Sequence, residues 1–221
     1  MDSDLCILVD RQDRTVDFAA KRFCHKSENI KKGVALHRAF SVFLFDSQNR
    51  LLLQRRADQK ITFPALWTNS CCSHPLASEN EDGGETFSEK LEGVKRAACR
   101  KMKQELGLQS CVSTKELVFV TRIIYSSVEQ EWGEHEVDYV LFMKKELSME
   151  PNSSEVGEVK FVTASELQKE LNKDSGRHFT PWFKFISKKF LLKMWERLDT
   201  ILAAGDSSDR KIHQMNALER I

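Results

Sequence analysis

A chain of 221 residues with 41% hydrophobic and 30% charged residues is long enough for one large domain with a real core, and nine Gly and four Pro exclude collagen-like or low-complexity character. Lys and Arg number 34 against 33 Asp and Glu, a net charge of +1, so a broad nucleic-acid or anionic-membrane surface is not expected. No run approaches the ~18 apolar residues of a membrane span, and the acidic Met1-Asp-Ser-Asp-Leu-Cys6 start shows no targeting signal.

In chain order, Leu5–Val9 reads as a first strand, and Asp10-Arg-Gln-Asp13 as its turn. Ala39–Phe45 and Arg50–Gln54 read as a hairpin around Asp46-Ser-Gln-Asn49. Residues 77–86 are a polar loop. Ser88–Leu106 carries apolar residues at 91, 94, 98 and 102, a helical spacing that Gly107 stops. Leu117–Tyr125 and Glu136–Met143 are β-rich and joined by a loop around Trp132-Gly133. Val159–Thr163 is a short strand, and Thr163-Ala-Ser-Glu166 caps a helix to about Lys173. Thr180-Pro181 opens a long helix with apolar positions 183, 186, 190, 194, 198 and 201. With no repeat or linker visible, the expectation is one mixed α/β domain over residues 1–202, a mixed β-sheet flanked by helices, with a polar tail over 203–221.

The six cysteines, at 6, 24, 71, 72, 99 and 111, form no Cys-x-x-Cys pair. That argues against a disulfide framework or a structural zinc site and for free thiols in a reducing compartment. Three local patterns stand out. In Trp67-Thr-Asn-Ser-Cys-Cys-Ser-His-Pro75, Cys72 and His74 lie two residues apart between prolines, although inert buried cysteines are common. In Trp132-Gly-Glu-His-Glu136, an extended backbone puts Glu134 and Glu136 on one face, which suits a cation between them or a solvated surface. Joined by His25, His37 and His74 they would make a five-ligand N/O set suited to Mn²⁺, Mg²⁺ or an expanded Zn²⁺, though spacing alone does not show convergence. The cations Lys21, Arg55, Arg56, Lys60, Arg100 and Lys101, each a solvated residue by default, could together clamp a diphosphate.

Taken together, His37-Arg-Ala-Phe-Ser-Val-Phe-Leu-Phe45, Thr68-Asn-Ser-Cys-Cys-Ser-His-Pro75, Trp132-Gly-Glu-His-Glu136 and Thr180-Pro-Trp182 resemble the type I isopentenyl-diphosphate isomerases, over residues 5 to 200 and in the family's order. The resemblance implies a Nudix-like fold and an exchange of isopentenyl and dimethylallyl diphosphate for isoprenoid synthesis. It implies that His25, His37, His74, Glu134 and Glu136 bind one divalent metal and that Glu105 holds a Mg²⁺ bridging to the diphosphate. Cys72 becomes catalytic with Cys71 its bystander, and Glu136 becomes the opposing acid/base with Tyr125 beside it. Lys21, Arg56, Lys60 and Lys101 match positions near the diphosphate; Lys101 stands where arginine is usual, so a two-pronged contact becomes a single one. Such a reaction passes through a tertiary carbocation, and Trp182 is the aromatic face offered to it. The expected partner is a small isoprenoid diphosphate, with no nucleic acid or membrane, and the expected state a cytoplasmic monomer. Glu219-Arg-Ile221 is only a remote approximation of a peroxisomal ending.

The rival reading is a Nudix hydrolase of a nucleoside diphosphate derivative. Its helix needs Arg-Glu-apolar-x-Glu-Glu-x-Gly, whereas Arg100-Lys-Met-Lys-Gln-Glu-Leu-Gly107 keeps Glu105 alone and has Lys101 and Gln104 in place of the other two acids.

Overall fold

The computed structural model describes residues 4–77, 80–172 and 178–215. Its strands and helices are β1 (Leu5–Val9), β2 (Thr15–Ala20), α1 (Lys21–His25), α2 (Ser27–Lys31), β3 (His37–Phe45), β4 (Leu51–Arg56), β5 (Trp67–Thr68) and β6 (Cys71–Ser73). They continue with α3 (Phe87–Leu106), β7 (Val118–Glu129), β8 (Trp132–Lys144), β9 (Val156–Val162), α4 (Ala164–Asn172), α5 (Pro181–Ile186), α6 (Leu192–Trp195), α7 (Leu198–Ala204) and β10 (Ile212–Gln214).

Every residue of β3 is buried, as expected of a central strand covered on both faces. Its neighbour β8 runs parallel in the register His37↔Glu136 through Phe45↔Lys144, and β7 pairs antiparallel with β8. The sheet path is β10-β7-β8-β3-β1-β2, with β4 joined to β3, β5 and β9, and β6 to β3. Strand alternation divides the core. Phe40, Val42, Val137, Tyr139 and Leu141 pack on α3 through Leu91, Val94, Ala98 and Met102. Phe43, Phe45, Val140, Phe142 and Tyr125 pack on the C-terminal helices through Phe183, Ile186, Leu191 and Trp195. The mixed sheet is therefore flanked by helices.

The helix expected at 88–106 begins at Phe87, because Thr86 and Glu89 close a reciprocal capping box. It ends at Gly107 (φ +59°), where a Cβ would meet the Glu150 carbonyl oxygen at 2.0 Å.

Several expectations need correcting. The 39–54 hairpin pairs only at Phe45↔Leu51, since the Ser70 hydroxyl comes between the strands, accepting from Leu44 N–H and donating to the Leu52 carbonyl. Trp132-Gly133 belongs to strand β8; the reversal is at Gln130-Glu131, with Gln130 at φ +53°. The long C-terminal helix is broken. Residues Ser187–Leu191 form a π-turn, whose extra residue rotates the apolar face by one position, so Leu191 and Trp195 are the buried residues rather than Phe190 and Met194. Within the stretch read as a tail, Ile212–Gln214 runs parallel to β7 and Met215 is buried. Lys173 and Glu219–Ile221 lie outside the described residues.

Candidate active site

The five predicted metal ligands arrive from four separate segments. His25 ends α1, a five-residue helix held against the β7–β8 turn by the Lys26–Trp132 bridge and by Ser27 N–H to the Glu131 carbonyl. His37 opens β3, His74 follows β6, and Glu134 and Glu136 share one face of β8. All five are buried, and one donor atom from each lies within 4.8 Å of the others. The imidazole centroids are 4.7–5.1 Å apart.

The donor chemistry fits a cation. Nδ1 of His25 donates to the Lys21 carbonyl at 2.7 Å and Nδ1 of His37 to the Ala35 carbonyl at 2.9 Å, which directs each Nε2 lone pair into the cluster. Nε2 of His25 lies 2.8 Å from Glu134 Oε2, yet that oxygen makes no aligned hydrogen bond, and His37 Nε2 and His74 Nδ1 are likewise buried without one. Orphaned donor-set atoms converging from four segments are what a metal satisfies. Where protons take its place, burial opposes charge on His37, but Glu136, 3.5 Å away, pulls it up to about 9. Burial, reinforced by His37 and His25, pushes His74 down.

These ligands line one end of a cavity of about 330 Å³, within the usual range for small-ligand sites. His37 lies behind it; the other twelve predicted site residues all line it. Alternation along β6 separates the two cysteines. Cys71 points to α3, its Sγ 3.5 Å from Glu105, while Cys72 faces the cavity and the Trp182 side. Burial pushes the Cys72 thiol up to about 12, with Arg56 opposing and Glu105 and Glu136 adding to the rise, so it is a neutral thiol at physiological pH.

In the same cavity, the Tyr125 hydroxyl donates to Glu136 Oε2 and His74 Nε2 lies 2.7 Å from Glu136 Oε1. Burial alone would raise Glu136, but contacts with His37 and Tyr125 outweigh it and hold the carboxyl below the ordinary range. Trp182 closes the wall. Its centroid lies 5.7 Å from Tyr125 and 5.4 Å from Phe63, and its indole N–H donates to Asn69 Oδ1 at 3.1 Å.

Arg56 proves largely committed. Nε and Nη2 donate to the Thr62 and Phe63 carbonyls and to the Thr62 hydroxyl, while Nη1 reaches Cys72 Sγ at 3.8 Å. Its guanidinium therefore stands beside the thiol with little donor capacity left over.

The opposite end is ionic. Buried Glu105 Oε1 lies 3.3 Å from Lys101 Nζ and 3.7 Å from Lys60 Nζ, and Gln54 donates to its Oε2. Lys21 lines the same cavity. Arg55 and Arg100 do not; they pair with Asp58 and Glu81. Three contributors were not read from the sequence: Asn69, which anchors the indole; Thr62, which holds Arg56; and Glu155, which pairs with Lys60 and Lys101. Asn69 lay inside a motif already singled out, whereas Thr62 and Glu155 sit in loops with no pattern to mark them.

Comparisons with known proteins give the family and the fold. Residues 35–183 match the NUDIX domain model. A Schizosaccharomyces pombe isopentenyl-diphosphate delta-isomerase is 49% identical over 96% of this chain and 90% of its own. A Mus musculus isopentenyl-diphosphate Delta-isomerase is 44% identical over 96% and 92%, and a chloroplastic enzyme of that name from Arabidopsis thaliana 42% over 97% and 75%. The fold also matches a crystal structure of a NUDIX hydrolase from Alicyclobacillus acidocaldarius, 10% identical with TM-score 0.56, covering 78% of this chain and 97% of that one. A Deinococcus radiodurans crystal structure matches at TM-score 0.55 and 16% identity over 84% and 98%. The chain belongs to the isopentenyl-diphosphate isomerase family, built on a NUDIX domain.

Proposed function

We propose that this protein interconverts isopentenyl and dimethylallyl diphosphate by protonating one carbon of the allylic unit and deprotonating another. The observation that carries the reading is the presence, in one cavity, of a neutral thiol on Cys72 and an ionised Glu136 that accepts from the Tyr125 hydroxyl. An unactivated alkene needs a proton donor on one side and an acceptor on the other, both close to the reacting carbons. In the direction of isopentenyl diphosphate consumption, Cys72 gives its proton to the terminal carbon. Arg56 Nη1, at 3.8 Å, offsets the charge left on sulfur. Trp182 faces the tertiary cation with a π-system that stabilises it but cannot trap it. Glu136 removes the proton on the far side, with the Tyr125 hydroxyl steadying its carboxylate. The roles exchange in reverse. Buried Tyr125, Trp182 and Glu136, with half-buried Cys72 beside them, limit the water that would hydrate the cation.

His25, His37, His74, Glu134 and Glu136 would hold a divalent cation, Mn²⁺, Mg²⁺ or Zn²⁺ by donor type, whose charge offsets the two carboxylates. Glu105, buried at the lysine end, would hold a Mg²⁺ shared with the diphosphate, while Lys21, Lys60 and Lys101 bind the head group and Arg56 borders it. Among the described residues no helix is long and apolar enough to cross a membrane.

The hydrolase alternative is disfavoured by α3 itself, whose Glu105 is engaged by Lys60, Lys101 and Gln54 and stands without the second acid that activates water. Incubation with isopentenyl diphosphate should yield dimethylallyl diphosphate without orthophosphate. Cys72→Ala should abolish conversion, a loss beyond the usual ~10²–10⁴-fold of a general acid, while Cys71→Ala should be mild. Orthophosphate release, or an inactive Cys71→Ala beside an active Cys72→Ala, would overturn the proposal.

A further inference from the structure

We propose that Glu155 is an internal competitor for the head-group site, an anion of the protein's own that occupies Lys60 and Lys101 and must swing out before an oxyanion can bind them. The inference rests on the diphosphate reading of this end of the cavity.

Two ammonium groups and two carboxylates form a closed set: Lys60 pairs with Glu155 and lies 3.7 Å from Glu105, and Lys101 lies 3.3 Å from Glu105 and 3.7 Å from Glu155. The two carboxylates are not equivalent. Glu105 has a side chain only 3% exposed, with its second oxygen fixed by Gln54, so it stays in place. Glu155 is 30% exposed, and its carboxylate pairs with those two lysines. Its backbone is fixed: its N–H donates to the Asn152 carbonyl and its carbonyl accepts from Ala57. Asn152 N–H in turn donates to the Glu105 carbonyl. The side chain can therefore leave for solvent while the loop stays put. Burial works against its ionisation, but Lys60 and Lys101 more than compensate and keep it charged.

With Glu155 in place the four groups sum to zero charge, and an arriving anion gains nothing from them at long range. With Glu155 released, one positive charge opens beside the cavity. The competitor thus weakens every oxyanion by a similar factor. The cost is tolerable for a diphosphate that reaches both lysines, and it keeps inorganic phosphate and monophosphates from occupying the site.

The test is calorimetric titration of wild type, Glu155→Gln and Glu155→Asp with inorganic pyrophosphate and with inorganic phosphate, in buffer without divalent cations. Removing the charge should tighten both anions by about fivefold, the scale of a partly exposed ion pair, and Glu155→Asp should stay near wild type. Weaker or unchanged pyrophosphate binding in Glu155→Gln would overturn the inference. So would an equal gain in Glu155→Asp, which would mean that packing and not charge sets the affinity. Isomerisation by the wild type, followed in parallel, separates the two levels. Wild type that turns over and binds pyrophosphate, with no gain in Glu155→Gln, overturns this inference alone; wild type that does neither overturns the diphosphate reading and the inference with it.

Discussion

Replacing Trp182 separates cation stabilisation from packing. The indole is 2% exposed, packed edge-on against Phe63 and tilted against Tyr125, and pinned to Asn69. Trp182→Phe keeps an aromatic face and loses the N–H. Asn69 Oδ1 still accepts from the Thr68 hydroxyl at 2.9 Å, so no buried acceptor is orphaned and the stability cost should be about 1 kcal/mol. Trp182→Leu removes the π-face as well and leaves part of the ring's volume empty, for about 2–3 kcal/mol of stability. A desolvated cation–π contact contributes about 2 kcal/mol, equivalent to about thirtyfold in rate. Because the cation exists only along the reaction path, that loss belongs in kcat, with KM for the diphosphate nearly unchanged. The Arg56 guanidinium carbon already lies 5.7 Å from the ring centroid, so the indole is adapted to a neighbouring positive charge before substrate arrives. Steady-state kinetics of both variants, with thermal melts to confirm folding, read the effect. A tertiary ammonium analogue should lose affinity in Trp182→Leu, whereas a neutral-tailed diphosphate should not. Equal weakening of both ligands, or full activity in the Leu variant, would refute the cation role.

Glu136→Gln should lose both metal and activity, since Glu136 sits among the three imidazoles, whereas Glu105→Gln should retain resting metal content and show a higher Mg²⁺ requirement in turnover; equal metal loss in both variants without substrate would defeat the two-site picture. In metal-stripped protein His37 is held up to about 9, so its proton stabilises the fold below about pH 6.5 and that contribution fades as pH rises through about 9. Metal uptake near pH 7.5 should therefore release about one proton per ion, visible as a buffer-dependent heat in calorimetry and largely gone by pH 10; buffer-independent heats at pH 7.5 would contradict it.

How far the sequence spoke depended on the kind of signal each part carries. Strand β3 was legible because burial on both faces leaves a largely apolar run over Ala39–Phe45 broken only by Ser41, and α3 because its apolar spacing and the Gly107 stop are local; the Thr86–Glu89 cap that fixes its start was not read. Helices α1 and α2 are five residues each, too short for periodicity to register, so His25 was named as a candidate ligand without an element to carry it. The π-turn at Ser187–Leu191 leaves no compositional mark, and it displaced the expected apolar positions 190 and 194 by one residue, while Leu198 is buried as expected. The motif singled out Cys72, and strand alternation turns Cys72 to the cavity and Cys71 toward α3. The Glu105–Lys60–Lys101–Glu155 set depends on three segments converging: its helical i,i+4 pair, Lys101 and Glu105, lay in plain sight, but Glu155 approaches from a loop 50 residues away in sequence.

The most direct test of the central claim, a proton passed between Cys72 and the Glu136 side through a carbocation, is proton NMR of isopentenyl diphosphate in D₂O with the protein, Mn²⁺ and Mg²⁺. The prediction is dimethylallyl diphosphate carrying solvent deuterium in the methyl group formed from the terminal carbon, an intact diphosphate, and loss of both signals in Cys72→Ala. Product formed without deuterium, release of orthophosphate, or undiminished labelling in Cys72→Ala would contradict it.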